Sequence, residues 1–131
     1  MVTVDTHVII WDALDPDKIS KKALQKFNQA NESGGVLFCD ISLWEISMLI
    51  SKKRLELDIP FLEFIDLLTK TRNYIFQSIT PEIADLSTKI SSEINSDPAD
   101  RLIVSSSIIM NAPLITADKN LRSSNIIKTI W

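Results

Sequence analysis

The sequence predicts an α/β fold with a largely parallel, doubly wound sheet, and three observations carry that expectation. Short apolar runs alternate with longer stretches of helical periodicity along the whole chain, the pattern of strands joined by crossover helices. Helix-starting residues (Pro60, Pro81 and the pair Asp97-Pro98) and a Gly34-Gly35 stop separate those stretches. A length of 131 residues, 45% of them hydrophobic and 24% charged, fits one folded domain over 1–131 and leaves no room for a second.

Taken in order, Val2-Thr3-Val4 reads as a short strand ending at Asp5, and the apolar run from His7 to Ala13 follows at helical spacing. Asp15-Pro16-Asp17 breaks the chain. Ile19, Ala23, Phe27 and Ala30 then share one face of an amphipathic helix that Gly34-Gly35 ends. Val36 to Cys39 has the length and bounds of a buried strand. Ser42 is expected to open a helix running to about Lys53, and Pro60 to occupy the first position of a helix through Thr71 with Phe61, Phe64, Ile65 and Leu68 inward. Tyr74 to Ile79 reads as a strand, and Pro81 starts a further helix. Asp97 is the expected cap, and Pro98 the first residue, of a helix to about Met110. Pro113 to Thr116 is a strand ending at Ala117-Asp118, and Ile126 to Ile130 is the last strand.

Composition narrows the function classes. A single cysteine, Cys39, has no internal disulfide partner and sits in an apolar run that suits a buried, inert thiol. The start Met1-Val-Thr-Val-Asp5 lacks the features of a signal peptide, and no apolar run approaches the ~20 residues of a membrane span. A soluble, cytoplasmic protein is the expectation. The net charge of −3 argues against a generic cationic nucleic-acid binder. Any nuclease activity therefore needs a local site with its own cations.

The acids suggest where that site lies. Open parallel sheets bind ligands at the carboxyl ends of their strands. Asp5 and Asp118 stand at two such ends, Glu45 lies one turn into the helix after the second strand, and Asp100 lies in the first turn opened by Asp97-Pro98. If the strands are parallel, these carboxylates face one edge of the sheet. Their mutual repulsion then calls for a counter-ion, and hard divalent cations accept carboxylate oxygens. Each acid also has a plainer reading. Asp5 can cap the next helix, Ser42-Leu43-Trp44-Glu45 matches a capping box, Asp100 suits a helix N-terminus, and Asp118 suits a turn. Glu45, however, falls between Met48 and Leu49 on the helical wheel, where a carboxylate needs a partner.

Taken together, the segments resemble a known family. Val4-Asp5-Thr6-His7 followed by Trp11 resembles the opening D-T-H-x-x-x-W of PIN-domain toxins, and Ser42-Leu43-Trp44-Glu45-Ile46 is similar to their S-x-W-E-[IV] helix start. Asp97-Pro98-Ala99-Asp100-Arg101-Leu102-Ile103 resembles their D-P-x-D-R-L-[IL] block, Leu114-Ile115-Thr116-Ala117-Asp118 their L-[IV]-T-x-D strand end, and Ile130-Trp131 their common ending. The motifs occur in the family's order across nearly the whole chain. The resemblance implies a three-layer α/β/α PIN-like domain acting as a metal-dependent endoribonuclease, the VapC-like toxin half of a type II toxin–antitoxin pair. It implies that Asp5, Glu45, Asp100 and Asp118 bind Mg²⁺ or Mn²⁺, with Thr116 and Thr6 supporting the site and Arg101 either bracing neighbouring carboxylates, the first reading, or touching RNA. It further implies an RNA substrate, a homodimer and a VapB-like antitoxin. Relatives often carry His two residues before the D-P, where this chain has Asn95.

Around that frame, Lys119 and Arg122 are the candidate phosphate contacts, being close to Asp118. The cluster Lys52-Lys53-Arg54 reads as a solvated charge run. His7, the only histidine, reads first as structural and second as a general base, sharing a helix face with Trp11. The amphipathic helices Lys18 to Ala30 and Phe61 to Thr71 are a candidate groove for an antitoxin helix, although burial of their apolar faces in the core is the commoner fate. Three other functions stay open at this point: an RNA-processing PIN nuclease without antitoxin, a phospho-receiver with acids at strand ends, and an interaction domain whose acids are caps.

Overall fold

The structure is a computed structural model describing all 131 residues. Strand β1 (Val2–Val4) leads into α1 (Thr6–Leu14), a 3-10 turn at Pro16–Lys18 and α2 (Lys21–Glu32). Strand β2 (Val36–Cys39), α3 (Asp40–Ser51), α4 (Phe61–Thr71), β3 (Tyr74–Gln77), α5 (Pro81–Lys89) and α6 (Pro98–Ile109) follow. Strand β4 (Leu114–Ile115), α7 (Lys119–Arg122) and β5 (Thr129–Ile130) complete the chain. All four strand pairings are parallel, in the order β3-β2-β1-β4-β5. The chain winds outward from β1 through β2 to β3, then returns to β4 on the other side. The switch point therefore lies between β1 and β4, where doubly wound sheets open a crevice for ligands.

Alternation along the strands divides the interior into two cores. Val2, Val4, Val36, Phe38, Ile115 and Ile130 face α1, α2 and α4, meeting Val8, Ile9, Ala23, Phe27, Phe64 and Leu68. On the other face Cys39 and Leu114 meet Ile103 and Val104 of α6 and Leu121 of α7. Helices thus cover both faces, as the sequence predicts. Phe27 is fully buried, so Phe27→Ala should cost about 3–5 kcal/mol. Cys39 is buried, and burial pushes its thiol up to about 11, consistent with an inert residue.

Several boundaries differ from expectation for local reasons. Helix α3 begins at Asp40 directly after β2, with Cys39 in the cap position and no side-chain cap. Ser42 is therefore inside the helix, and no capping box forms. Helix α2 starts at Lys21, where the Ser20 hydroxyl accepts from the Ala23 amide at 3.1 Å. It ends at Glu32, and the two glycines, at φ +86° and +90°, turn the chain into β2. A Cβ on Gly35 would stand 2.5 Å from the Ile75 side chain, so glycine is required there by space as well as by φ. Pro60 is the cap of α4 and not its first residue. Strand β3 stops at Gln77 and β5 includes only Thr129–Ile130, because β4, its one partner, has two residues to offer.

Candidate active site

The site grows out of the switch point. Where β1 ends, Asp5 turns its backbone into α1. One carboxylate oxygen accepts from the Val8 amide at 3.0 Å, capping the helix, and the other accepts from the Thr116 hydroxyl at the end of β4. The Thr116 oxygen in turn accepts from the Asp118 amide at 3.1 Å. One threonine thus ties together the two strand ends that bear acids. Asp5 caps α1 and lines the cleft at once, so capping does not take it out of the candidate site. Asp118 likewise caps α7, accepting from the Leu121 amide at 3.1 Å.

Glu45, one turn into α3, accepts from the Thr6 hydroxyl. That hydroxyl has one proton, and it goes to Glu45. The Ser42 hydroxyl, 2.8 Å from the Thr6 oxygen, must then be the donor to it. On α6, Asp97 caps the helix through the Ala99 and Asp100 amides, and Asp100 accepts from the Asn95 side-chain amide at 2.9 Å. Asp5, Glu45, Asp97, Asp100 and Asp118 line one cleft of about 370 Å³, with Thr6, His7, Trp11 and Ala117 completing its walls.

No lysine or arginine lines that cleft. Burial raises the Asp5 and Glu45 carboxyls above their ordinary range, against the lowering effect of Thr116 and Thr6. Burial also pushes Asp100 up to about 6, and Asp97, Asp118 and Glu45 add repulsion. Desolvation is the larger cause and mutual repulsion the smaller, the reverse of what charge crowding alone predicts. Apart from the His7 imidazole the potential donors are carboxylate oxygens, which suits a hard divalent cation better than a soft metal. As they stand, no three of these side chains converge closely enough to hold a metal ion between them. A spread set of oxygens fits an ion that keeps several of its waters.

With that geometry in place, comparison with known proteins is decisive. Residues 2–125 match the PIN domain family. The chain belongs to the PIN-domain family. Ribonuclease VapC22 of Mycobacterium tuberculosis is 32% identical over 132 residues, covering 99% of this chain and 98% of the relative. Two solved structures share the fold. VapBC2 from Rickettsia felis, bound to a DNA fragment from their promoter, superposes with a TM-score of 0.73 at 14% identity, covering 98% of this chain and 97% of that one. A toxin–antitoxin complex from Klebsiella pneumoniae gives 0.66 at 17% identity, with the same two coverages.

Other expected site residues of this PIN domain fall elsewhere. Arg101 braces no carboxylate. Its guanidinium donates to the carbonyls of Ser87 (2.8 Å), Ile90 (2.8 Å) and Ile94 (3.1 Å), fastening the segment between α5 and α6. A fork of five donors satisfies three orphan carbonyls there that no carboxylate approaches. Lys119 and Arg122 lie outside the cleft, in a neighbouring depression with Lys22 and Trp131. The apolar face of α2 (Ala23, Phe27, Ala30) is buried in the core and offers no groove wall. A groove of about 400 Å³ does exist, between the end of α1 (Ala13, Leu14) and α4 (Phe64, Leu67, Leu68).

Sequence reasoning did not place Asp97, Ser42 or Asn95 at the site. Asp97 passed for a cap alone and Ser42 for a helix opener. The available signal was spacing, since Ser42 and Asp97 each stand three residues before a predicted site acid, on the same helical face.

Proposed function

We propose that this PIN domain, spanning residues 1–131, is a Mg²⁺- or Mn²⁺-dependent endoribonuclease acting on single-stranded or looped RNA in the cytoplasm, and the toxin half of a toxin–antitoxin pair. The observation that carries the reading is a half-buried cleft of five carboxylates with no cation of its own, at the switch point of the sheet. The VapC22 relative supports the ribonuclease class.

Asp5, Glu45, Asp100 and Asp118 would hold the ion. When bound, it supplies Lewis acidity toward the scissile phosphate and makes a water acidic enough to serve as nucleophile. The chain's own work is orientation. Thr116 aims Asp5, the Ser42–Thr6 relay aims Glu45, and Asn95 aims Asp100. The Thr6 and Thr116 hydroxyls are engaged as hydrogen-bond donors to carboxylates, and no cysteine or serine lines the cleft, so the protein offers no free nucleophile in competition with water. His7 is exposed and lines the cleft, open to solvent.

The partners follow the same reading. A VapB-like antitoxin would lay an amphipathic helix into the groove between α1 and α4, whose rim exposes Leu14 and Leu67. The toxin itself would be a homodimer. No helix is long and apolar enough to cross a membrane.

The test is cleavage of single-stranded RNA by wild type and Asp100→Asn. Loss of several kcal/mol of transition-state stabilisation should lower the rate about a thousandfold or more, with the fold retained by circular dichroism. Full activity in excess chelator, or in Asp100→Asn, removes the reading. A monomeric mass at micromolar concentration removes the dimer.

A further inference from the structure

The acid cleft handles the reacting phosphate but has nothing to hold the rest of a polyanion. The structure offers that provision beside it. Lys22, Lys119 and Arg122 line a depression of about 500 Å³ with Ser123, Thr129 and Trp131. All three cations are exposed, and none forms an ion pair, although the protein carries an excess of acids. Lys119 directly follows Asp118, so the depression begins where the cleft ends.

An aromatic wall joins the two. His7 and Trp11 border the cleft, with ring centroids 5.9 Å apart, and Trp11 stands 6.0 Å from Trp131, which borders the basic depression. The rings are tilted at 50° and 54°, and Trp11 and Trp131 are half-buried, each packed on the core yet partly open to solvent. Cations for phosphates running beside aromatic faces for bases is the pattern of a sequence-tolerant single-strand binder.

We propose that one flank of a single-stranded RNA leaves the acid cleft along the His7–Trp11–Trp131 wall, with its phosphates on Lys22, Lys119 and Arg122. This rests on the nuclease reading and extends it. An acidic protein segment would find the same charges but would not need the aromatic wall, so the combination favours RNA. The track works by length: cations beyond the cleft offset the repulsion that the acids exert on an incoming strand. Lys22 on α2 and Lys119 with Arg122 on α7 come from opposite ends of the chain, so the track exists only in the folded state.

The experiment is anisotropy of a labelled twelve-nucleotide oligouridine across a salt series. It compares Asp100→Asn protein with the same protein carrying Lys22→Gln, Lys119→Gln and Arg122→Gln. Three lost phosphate contacts should cut the salt slope by about 2 and weaken binding at least about tenfold at moderate salt. Trp131→Leu, which keeps apolar packing against Trp11, should weaken binding with the slope unchanged. An unchanged slope in the triple variant overturns the track. So does displacement of the RNA by oligoglutamate of equal charge at equal concentration, which would mark a surface for an acidic protein. Cleavage by the native protein is scored separately: a protein that cleaves RNA yet keeps its slope refutes the track alone, and one that cleaves no RNA refutes the nuclease reading.

Discussion

Two buried carboxylates in this protein are treated in opposite ways. Asp12, its side chain 5% exposed, is met by the Arg72 guanidinium at 2.9 and 2.7 Å in a two-pronged bridge. The same guanidinium sits 5.1 Å over the Phe27 ring, and the contact with Asp12 raises it above its ordinary range. Asp5, 8% exposed and about two turns earlier at the cap of the same helix, meets only hydroxyl and amide donors. Where a buried acid serves the fold, the chain supplies the opposite charge. Where the acids gather at the switch point, it supplies none, and the charge is left for something from outside.

The contrast can be broken most directly at the bridge. Arg72→Ala leaves Asp12 buried and unpaired, and should cost about 3 kcal/mol, read by urea denaturation. A loss under about 1 kcal/mol would place this bridge with exposed pairs such as Lys70–Asp66 and end the distinction. Next in size is the response to an ion. Mn²⁺ at a hundredfold excess over its dissociation constant should stabilise wild type by about 2.7 kcal/mol. Arg72→Ala should gain as much, since its defect is remote from the cleft, and Asp100→Asn should gain less. No stabilisation of wild type at any concentration would remove the cation from the cleft.

The smallest effect concerns Asp100 without metal. Its carboxyl rises from an ordinary 3.8 to about 6, so the native state keeps a proton that the unfolded chain has lost. That stabilisation is complete below the unfolded value and disappears as pH rises through the folded one. The metal-free protein should therefore melt higher at about pH 5 than at about pH 7.5. Asp100→Asn should melt a few degrees higher than wild type at the upper pH, about 1 kcal/mol after allowing for solvent contact and for the lost helix-end charge. A lower melting temperature for Asp100→Asn would make Asp100 chiefly a helix-end residue.

Much of this was legible in the sequence because the relevant signals are local. Short apolar runs place the strands, Asp97-Pro98 places the start of α6, and the strand ends place Asp5 and Asp118. What was not legible depends on pairs far apart in sequence. Thr116 reaches Asp5 across 111 positions, and Ser42 reaches Thr6 across 36. No spacing rule finds such contacts. Arg101 was misread for the same reason: its neighbours in sequence are acids, but its neighbours in space are carbonyls of a loop. An amphipathic face shows that it will be covered but not by what, so the two helices could not be told apart from sequence. Phe27 is buried inside the protein, while Leu67 remains at the surface.

The all-parallel sheet also dictates how the protein can be handled. Every strand points its carboxyl end toward the acid cleft, so Trp131, just past β5, leaves the fold at that edge, against Trp11. Met1 sits at the opposite edge, near Gly34. A label, affinity handle or surface tether attached at Met1 leaves the cleft facing free solvent. The same attachment at Trp131 hangs over its rim and stands in the way of whatever enters.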